Sequence, residues 1–237
     1  MTLSTSTPGS AFAAGLEAIL LDYGGTLDGD AQHWFDHFVR LYADAGTAVP
    51  YHAIKDAFYA ADAALSRAVD IDAFGLERMV RTHVAFQLRH LGRDDRRLAA
   101  RLADGFIADT RSAWARNRPL LGRLAQRFRL GVVSNSYGNM PTLLAEAALA
   151  PFTVVLDSAL VGIAKPDPAL YALAVKRLDL IPSSILHIGD SWERDVVPAH
   201  AVGMRTAWLA RPEVTTPAVP SGVWRLDSLL DLEVLLG

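Results

Sequence analysis

Two patterns of apolar residues divide the chain, and each predicts a different kind of structure. Between Ala31 and Asn117, apolar residues recur at every third or fourth position, as they do on amphipathic helices. From Arg118 onward, short apolar runs alternate with helical stretches, a pattern typical of parallel strands joined by crossover helices. We therefore expect a helical bundle followed by an α/β region.

The α/β region gathers most of the predicted strands, and one further strand lies near the start of the chain. The predicted strands cover 18–22, 130–134, 153–157, 185–189, 205–209 and 223–226. The predicted helices between and after them cover 119–128, 138–149, 167–179, 192–202 and 227–235. Because crossovers between parallel strands are almost always right-handed, this alternation favours a doubly wound, Rossmann-like parallel sheet.

The position of the helical stretch predicts how the domains are organised. We expect an α/β fold whose core comprises 15–30 and 118–237, with an all-helical cap domain of 31–117 inserted after the first strand. The cap should hold about four helices, separated by breaks at 46–50, 69–72 and 92–95. Residues 1–14 are rich in Ser, Thr and Ala, and we expect them to form a flexible tail.

Composition narrows the range of partners. The 23 basic and 26 acidic residues leave a net charge of -3, which creates no field strong enough to favour nucleic acid or an anionic membrane. No stretch approaches the roughly 18 continuous apolar residues of a spanning helix. The sequence has no cysteine, which excludes disulfides and thiolate chemistry and fits a reducing compartment, so we expect a cytoplasmic protein. A small-molecule partner fits best.

Polar residues with catalytic potential stand at the ends of predicted strands. Asp22 ends the first strand and is followed at once by Gly24, Gly25 and Thr26. The later candidates are Ser134 and Asn135 after the second strand, Lys165 in a Lys-Pro-Asp-Pro loop, and Asp190 and Asp195 after the fourth strand. Because the carboxyl ends of parallel strands meet at one edge of a sheet, we expect these side chains to form a single site.

In this order and spacing, the four stretches resemble the motifs of the haloacid dehalogenase-like (HAD) hydrolase superfamily, whose members are mostly magnesium-dependent phosphatases. The resemblance covers the chain from residue 18 to its end. It implies that Asp22 is a nucleophile that forms an aspartyl phosphate and that Ser134 and Lys165 assist catalysis. It also implies phosphate binding by Gly25, Thr26, Ser134, Asn135 and Lys165, Mg²⁺ binding by Asp22, Gly24 (backbone carbonyl) and Asp190, and support of Lys165 by Asp195.

Elementary chemistry agrees with these assignments. A carboxylate nucleophile divides phosphoester hydrolysis into two easier steps, but it also repels an incoming phosphate, so the site needs cations. Mg²⁺ prefers oxygen ligands, which the aspartates supply. Lys165 is one of only three lysines in a chain otherwise rich in arginine, which favours a specific use for its compact ammonium group.

Gly24 departs from the family pattern. In most phosphatases of the superfamily the residue two positions after the nucleophile is a second Asp, which protonates the leaving alcohol and later activates water. General acid-base help is worth ~10²- to 10⁴-fold, so we expect weak activity on alkyl phosphates. Aryl and acyl phosphates need the acid least. Asp28 and Asp30 lie close in sequence and are candidates to replace it.

The missing acid leaves alternatives open. Carbon–halogen hydrolases of the superfamily also lack it but need no metal, whereas this chain keeps the Gly-Asp-Ser metal motif. Phosphonoacetaldehyde hydrolases lack it too and use a cap lysine as a Schiff base, a role for which Lys55 is the cap candidate. A third alternative is a catalytically decayed phosphate-binding or regulatory protein.

Two cap histidines have no assigned role. His33 and His37 stand four residues apart, so on a helix they would share a face that points at substrate, as a metal pair or as polar residues of the cap. We predict a Mg²⁺-dependent phosphohydrolase acting on a small phosphorylated metabolite. The sequence specifies neither the substrate nor the oligomeric state.

Overall fold

A six-stranded sheet forms the core of the computed structural model, which describes residues 13–214 and 222–237. The strands are β1 (Ala18–Leu21), β2 (Arg129–Ser134), β3 (Phe152–Asp157), β4 (Ile185–Gly189), β5 (Arg205–Leu209) and β6 (Val223–Leu226). They lie in the order β3-β2-β1-β4-β5-β6, and every neighbouring pair is parallel. The predicted doubly wound sheet is confirmed.

The direction of winding reverses between β1 and β4, at the centre of the sheet. The chain builds β1, β2 and β3 toward one edge and then returns to place β4 beside β1. In open α/β sheets, ligands bind outside the carboxyl ends of the strands at such a reversal. The residues that follow β1 and β4 therefore occupy the part of the sheet best suited to a binding site.

β1 is buried on both of its faces, as the central strand of a parallel sheet should be. Ile19 and Leu21 belong to one apolar cluster, whereas Ala18 and Leu20 belong to a second cluster on the opposite face. All four side chains are completely buried. This burial fixes the direction of β1 and therefore the position of the carboxylate at its end.

Nine helices accompany the sheet within the described residues. The first four are α1 (Trp34–Asp44), α2 (Tyr51–Leu65), α3 (Leu76–His90) and α4 (Arg96–Leu124). The later ones are α5 (Met140–Ala147), α6 (Ser158–Val161), α7 (Pro168–Leu178), α8 (Val197–Ala201) and α9 (Leu232–Leu236). Helices α1 to α4 form the helical cap expected from the sequence, and the connections between them fall at the predicted breaks.

Helix α4 differs from the prediction because it runs without interruption from the cap into the core. The separate helix predicted over 119–128 is wrong: Pro119 lies inside α4 rather than at the start of a new helix. Proline removes one backbone hydrogen bond, but Leu120, Leu121 and Leu124 continue the buried face of the helix beyond it. The predicted cap boundary at 117 therefore falls within a continuous helix, and the domain limits remain a prediction.

Two other predicted helices are shorter than expected. The stretch 192–202 is a wide turn over Trp192–Val196 followed by α8, and the stretch 227–235 is a 3-10 turn over Leu229–Asp231 followed by α9. Most of the tail predicted for residues 1–14 lies outside the described residues.

Membrane insertion gains no support from the fold. Within the described ranges, no helix combines the length and the apolar character needed to cross a bilayer. The cytoplasmic location expected from the sequence stays a prediction.

Candidate active site

Asp22 lies directly after β1, at the point where the sheet reverses direction. Its backbone N–H donates to the carbonyl oxygen of Ile188 on β4, at 2.9 Å, so the residue is fixed between the two central strands. Its Oδ1 atom accepts a hydrogen bond of 2.7 Å from the N–H of Tyr23. The carboxylate is therefore held in one orientation at the sheet edge.

Lys165 joins two of the predicted site carboxylates. Its Nζ lies 2.7 Å from Oδ1 of Asp22 and 2.7 Å from Oδ1 of Asp195. Burial opposes a charged amine, but the two carboxylates outweigh it and raise the pKa of Lys165 above its ordinary value, so the side chain stays an ammonium. Asn135 accepts the Lys165 backbone N–H at 2.8 Å and donates back to its carbonyl at 3.0 Å.

Asp195 reaches the site because Gly189, at the end of β4, has no side chain. A Cβ at Gly189 would lie 2.3 Å from Cγ of Asp195. Burial alone would raise the pKa of Asp195, but the Lys165 ammonium holds it below its ordinary value. Ser191 N–H and His187 Nε2 also contact the carboxylate, at 3.0 and 3.3 Å. Asp195 therefore serves as the fixed counter-ion of the lysine.

Three carboxylates converge within the described residues. One oxygen from each of Asp22, Asp190 and Asp195 lies within 4.8 Å of the others. Burial and the charges of Asp22 and Asp195 raise the pKa of Asp190 well above its ordinary value. One lysine does not balance this charge, and it is bound both to Asp195 and to Oδ1 of Asp22. Oδ2 of Asp22 and the carboxylate of Asp190 are left as oxygen donors that fit a hard divalent cation such as Mg²⁺.

Gly25 makes room for Asp190. A Cβ at Gly25 would lie 2.5 Å from Oδ2 of Asp190, and the residue has a φ of +81°, a conformation that favours glycine. The predicted phosphate contacts of Gly25 and Thr26 are not supported by their positions. The N–H of Gly25 donates to Asp28 at 2.7 Å, and Thr26 is completely buried away from the cavity. The lack of a side chain at Gly25 thus leaves room for the Asp190 carboxylate.

A cavity of about 490 Å³ opens between the sheet edge and the cap. The predicted site residues that line it are Asp22, Gly24, Ser134, Asn135 and Lys165. Ser134 ends β2 and is buried, and its hydroxyl has no hydrogen-bond partner among the described residues, so the hydroxyl is available to a ligand. Asp190 lines an adjoining cavity of about 370 Å³, and His33 and Arg194 line both.

The space beside Gly24 is bordered by Trp34, the first residue of α1. A Cβ at Gly24 would lie 3.6 Å from the indole Nε1 of Trp34, which is an ordinary contact. That Nε1 donates a hydrogen bond of 2.6 Å to Oδ2 of Asp28. The cap therefore contributes an aromatic edge where an acid would stand in most phosphatases of the superfamily that the sequence resembles.

Neither acid proposed as a substitute reaches the cavity. Both oxygens of Asp28 accept hydrogen bonds, from Gly25 N–H and from Trp34 Nε1, and Asp28 does not line the cavity. Asp30 pairs with Arg116 at 3.1 Å and also lies outside the cavity. Their carboxyl groups are used in contacts that join the loop after β1 to α1 and α4.

Of the two cap histidines, His33 lines the cavity and His37 does not, so the two do not form a metal-binding pair there. His33 precedes α1, and its Nδ1 accepts the N–H of Phe35 at 3.2 Å. His37 turns away from the cavity, contacts Asp109 at 2.9 Å and stacks on Phe106. Lys55 is exposed on α2 and does not line the cavity, so it is not placed for Schiff-base chemistry there.

Several cavity residues were not anticipated from the sequence. Asp62 on α2 lines the cavity, and its Oδ1 accepts hydrogen bonds from the hydroxyl of Tyr137 and from Nε2 of His83. Tyr137 follows β2, so this contact joins the cap to the core. Helical periodicity marked Asp62 only as a polar position, and nothing in the sequence showed which polar positions face the core.

Comparison with known proteins identifies the family. The family model for haloacid dehalogenase-like hydrolases matches residues 16–203. Haloacid dehalogenase-like hydrolase domain-containing protein 3 of Bos taurus is 36% identical over 118 residues, which are 49% of this chain and 47% of that protein. The phosphoserine phosphatase of Thermus thermophilus is 38% identical over 60 residues, covering 25% of this chain and 24% of that protein. In the first of these alignments the chain spans about half of its relative's length.

Solved structures with the same fold include hydrolases and dehalogenases. The magnesium-bound HAD-hydrolase YfnB from Bacillus subtilis has a TM-score of 0.57 and 21% identity, over 93% of this chain and 98% of that one. The L-2-haloacid dehalogenase PA0810 has a TM-score of 0.57 and 25% identity, with the same coverage of both chains. With its sheet, its cap and its matched motifs, the chain belongs to the haloacid dehalogenase-like hydrolases.

Proposed function

We propose that the protein is a Mg²⁺-dependent phosphohydrolase of a small phosphorylated metabolite and that Asp22 is its nucleophile. The observation that carries the proposal is the convergence of Asp22, Asp190 and Asp195 at the reversal point of the sheet, with a single ammonium among them. This arrangement retains unbalanced negative charge, and a divalent cation bound by Asp22 and Asp190 offsets it. An anionic phosphate is then attracted to a site that would otherwise repel it.

The reaction follows from the positions of three side chains. The Ser134 hydroxyl and the Lys165 ammonium bind phosphoryl oxygens and place the phosphorus atom against the Asp22 carboxylate. A carboxylate oxygen forms a bond to phosphorus while the bond to the leaving oxygen breaks, which yields an aspartyl phosphate. Water then attacks this phosphorus, releases inorganic phosphate and restores Asp22. Mg²⁺, when bound, supplies positive charge that stabilises the phosphoryl group during transfer.

The leaving group takes its proton from solvent in this scheme, because Gly24 supplies none. Leaving groups that are stable as anions, such as phenolates, need that proton least. The cap then contributes by enclosing the cavity around the bound ester. Activity on aryl phosphates should therefore exceed activity on alkyl phosphates.

The comparisons support this proposal without extending to the substrate. The Thermus relative is a phosphoserine phosphatase, and the Bacillus structure contains magnesium, as their names state. Dehalogenases share the fold, but the superfamily's carbon–halogen hydrolases need no metal, whereas Asp190 stands against Asp22 in this protein. Lys55 lies outside the cavity, which disfavours carbon–phosphorus hydrolysis through a Schiff base.

Hydrolysis of p-nitrophenyl phosphate by the purified protein, with and without Mg²⁺, tests the proposal. We expect metal-dependent turnover that EDTA removes and that Mg²⁺ restores. Asp22→Asn should abolish it, because an amide neither attacks phosphorus nor forms the acyl phosphate. Calorimetry with inorganic phosphate accompanies the assay. Phosphate binding without turnover of any ester would instead identify the protein as a phosphate-binding or regulatory protein.

A further inference from the structure

The cap side of the cavity contains one acidic side chain whose charge is not used by the chemistry at Asp22. Asp62 lies on α2, and its side chain retains 33% of its accessible surface. The other charged groups that line the cavity, Asp22, Lys165 and Arg194, belong to the core. The cap side of the cavity therefore carries a lone carboxylate.

One oxygen of Asp62 is fixed and the other is available. Oδ1 accepts hydrogen bonds from Tyr137 and from His83, whose Nε2 lies 3.1 Å away. Among the residues that the structure describes, Oδ2 has no hydrogen-bond partner and no basic side chain other than His83 pairs with Asp62. The two contacts to Oδ1 hold the carboxylate in place without occupying its second oxygen.

No fixed positive charge lies against Asp62. Among the described residues its ion-pair partner is His83, whose other ring nitrogen, Nδ1, lies 2.8 Å from the side-chain amide of Gln87. Burial, together with the charge of Asp62, raises the pKa of Tyr137 well above its ordinary value, so the phenol stays protonated and donates. No lysine or arginine in the described part of the chain pairs with this carboxylate.

Apolar side chains form part of the wall of the same cavity. They are Phe58, Met79, Met140 and Leu143, together with the exposed Tyr59. Such walls suit the hydrocarbon part of a ligand. A neutral hydroxyl would satisfy the free oxygen but leave the charge unbalanced, whereas an ammonium group satisfies both.

We propose that the cavity selects phosphate monoesters whose leaving group carries a protonated amine, with the phosphate at Lys165 and Ser134 and the ammonium on Oδ2 of Asp62. This inference rests on the proposed phosphohydrolase function and adds the class of substrate. A ligand with a carboxylate at that end would be repelled by Asp62. Among alkyl phosphates, which a site without an acid at Gly24 turns over slowly, the matching substrate is an aminoalkyl phosphate rather than an anionic or purely apolar ester.

The test compares short ω-aminoalkyl phosphates of increasing chain length with n-alkyl, ω-hydroxyalkyl and ω-carboxyalkyl phosphates of the same lengths, all in Mg²⁺. At the best length we expect kcat/KM to be ~10- to 100-fold higher for the amine than for the alkyl ester, as for a hydrogen bond to a charged group. Asp62→Asn should remove most of this ratio while keeping an acceptor for Tyr137 and His83. Thermal unfolding of the variant checks that it folds.

A matched control removes the same charge elsewhere on the same helix. Asp56 lies on α2, is exposed and does not line the cavity. Asp56→Asn should therefore leave the amine-to-alkyl ratio as it is in the unmodified protein. A ratio near one in the unmodified protein, a preference for the hydroxyl ester, or a preference that survives Asp62→Asn overturns the inference and leaves the phosphohydrolase function standing.

A binding measurement tests the preference for an amine independently of turnover. Non-hydrolysable ω-aminoalkyl and n-alkyl phosphonates are titrated into the full chain with Mg²⁺ by calorimetry. Tighter binding of the aminophosphonate that is lost in Asp62→Asn supports the inference even if no ester is hydrolysed, in which case only the proposed chemistry fails. Equal binding of the two phosphonates overturns the inference whatever the outcome of the activity assay.

Discussion

Gly24 is not required by the backbone at its position. Its φ of -68° and ψ of 119° are accessible to any residue, and a Cβ would meet Trp34 at an ordinary 3.6 Å. Gly25 and Gly189 differ, because a side chain at either would collide with a site carboxylate. Neither the backbone nor the space around the Cβ position therefore excludes a side chain at residue 24.

This difference leads to a prediction for Gly24→Asp. The new carboxyl group would stand beside the leaving oxygen, so turnover of alkyl phosphates should rise by ~10²-fold, the lower end of general acid effects. Aryl phosphates should gain much less, because phenolate leaves without a proton. Steady-state kinetics on both esters measures the two gains, and Gly24→Ala controls for the added Cβ. Equal gains on both esters would contradict our account of the missing acid.

At the scale of single residues, the sequence predicted that Asp22, Lys165 and Asp195 meet in one site, because each follows a strand or stands in a recognisable motif. It did not predict what Gly25 does, since its role depends on the approach of Asp190 from a strand more than a hundred residues later. The sequence also did not predict that Asp62 lines the cavity. Its function arises from the way one helix packs over the sheet, and periodicity does not encode that orientation.

At the scale of elements, the loop that follows β1 is closed by a buried carboxyl group. Asp28 accepts from Gly25 N–H at 2.7 Å and from Trp34 Nε1 at 2.6 Å, so it joins the loop to the first cap helix. Burial and the nearby charge of Asp22 raise the pKa of Asp28 to about 7, against the opposing effect of the two hydrogen bonds. The two hydrogen bonds favour the ionised carboxylate, but burial outweighs them and keeps the proton on Asp28.

The elevated pKa makes the stability of the protein depend on pH. The folded chain holds a proton on Asp28 up to about pH 7, whereas the unfolded chain loses it near the ordinary value of 3.8. The contribution of Asp28 to the free energy of unfolding is therefore most favourable below pH 4 and falls as the pH rises toward 7, by at most ~4 kcal/mol.

Urea unfolding of the unmodified protein and of Asp28→Asn, across this pH range, measures the effect. As the pH rises, the free energy of unfolding of the unmodified protein should fall relative to that of Asp28→Asn. Trp34→Phe removes a hydrogen bond that lowers the pKa of Asp28. The range over which stability falls should therefore extend to higher pH in this variant. A difference between the two proteins that is constant with pH would show that Asp28 titrates normally.

The bounds of helices and strands were predicted best where turn residues or helix caps flank the element. The three last strands have the predicted bounds, because turn residues or helix caps surround each of them. Helix α4 was divided wrongly at Pro119, since proline usually ends a helix and the packing of Leu120 and Leu124 that carries the helix onward is a tertiary effect. The error concerns the connection between cap and core.

At the scale of the whole molecule, cap and core share one apolar interior. The main apolar cluster includes Leu21 and Tyr23 from the sheet edge together with Phe38 and Phe106 from the cap helices. Polar contacts reinforce this continuity: the side chain of Asn117 on α4 donates to the carbonyl of Leu27 at 3.0 Å. The cap therefore lacks a core of its own.

We accordingly predict that cap and core unfold in a single transition. In differential scanning calorimetry the calorimetric and van't Hoff enthalpies should agree, as for a two-state protein. Asn117→Ala should shift this transition to lower temperature without dividing it, at a cost of ~1–3 kcal/mol for the unpaired buried carbonyl. Two separate transitions, in either protein, would show that the cap is an independently folding domain.

The position of Trp34 has a practical consequence. Its indole forms part of the cavity wall, next to Gly24, and donates to a carboxyl group that changes charge near neutral pH. We therefore expect the emission of Trp34 to respond both to water at the cavity wall and to the charge of Asp28. A tryptophan beside Asp22 should make occupancy of the site visible in the intrinsic spectrum of the protein, once the other four tryptophans are replaced by phenylalanine.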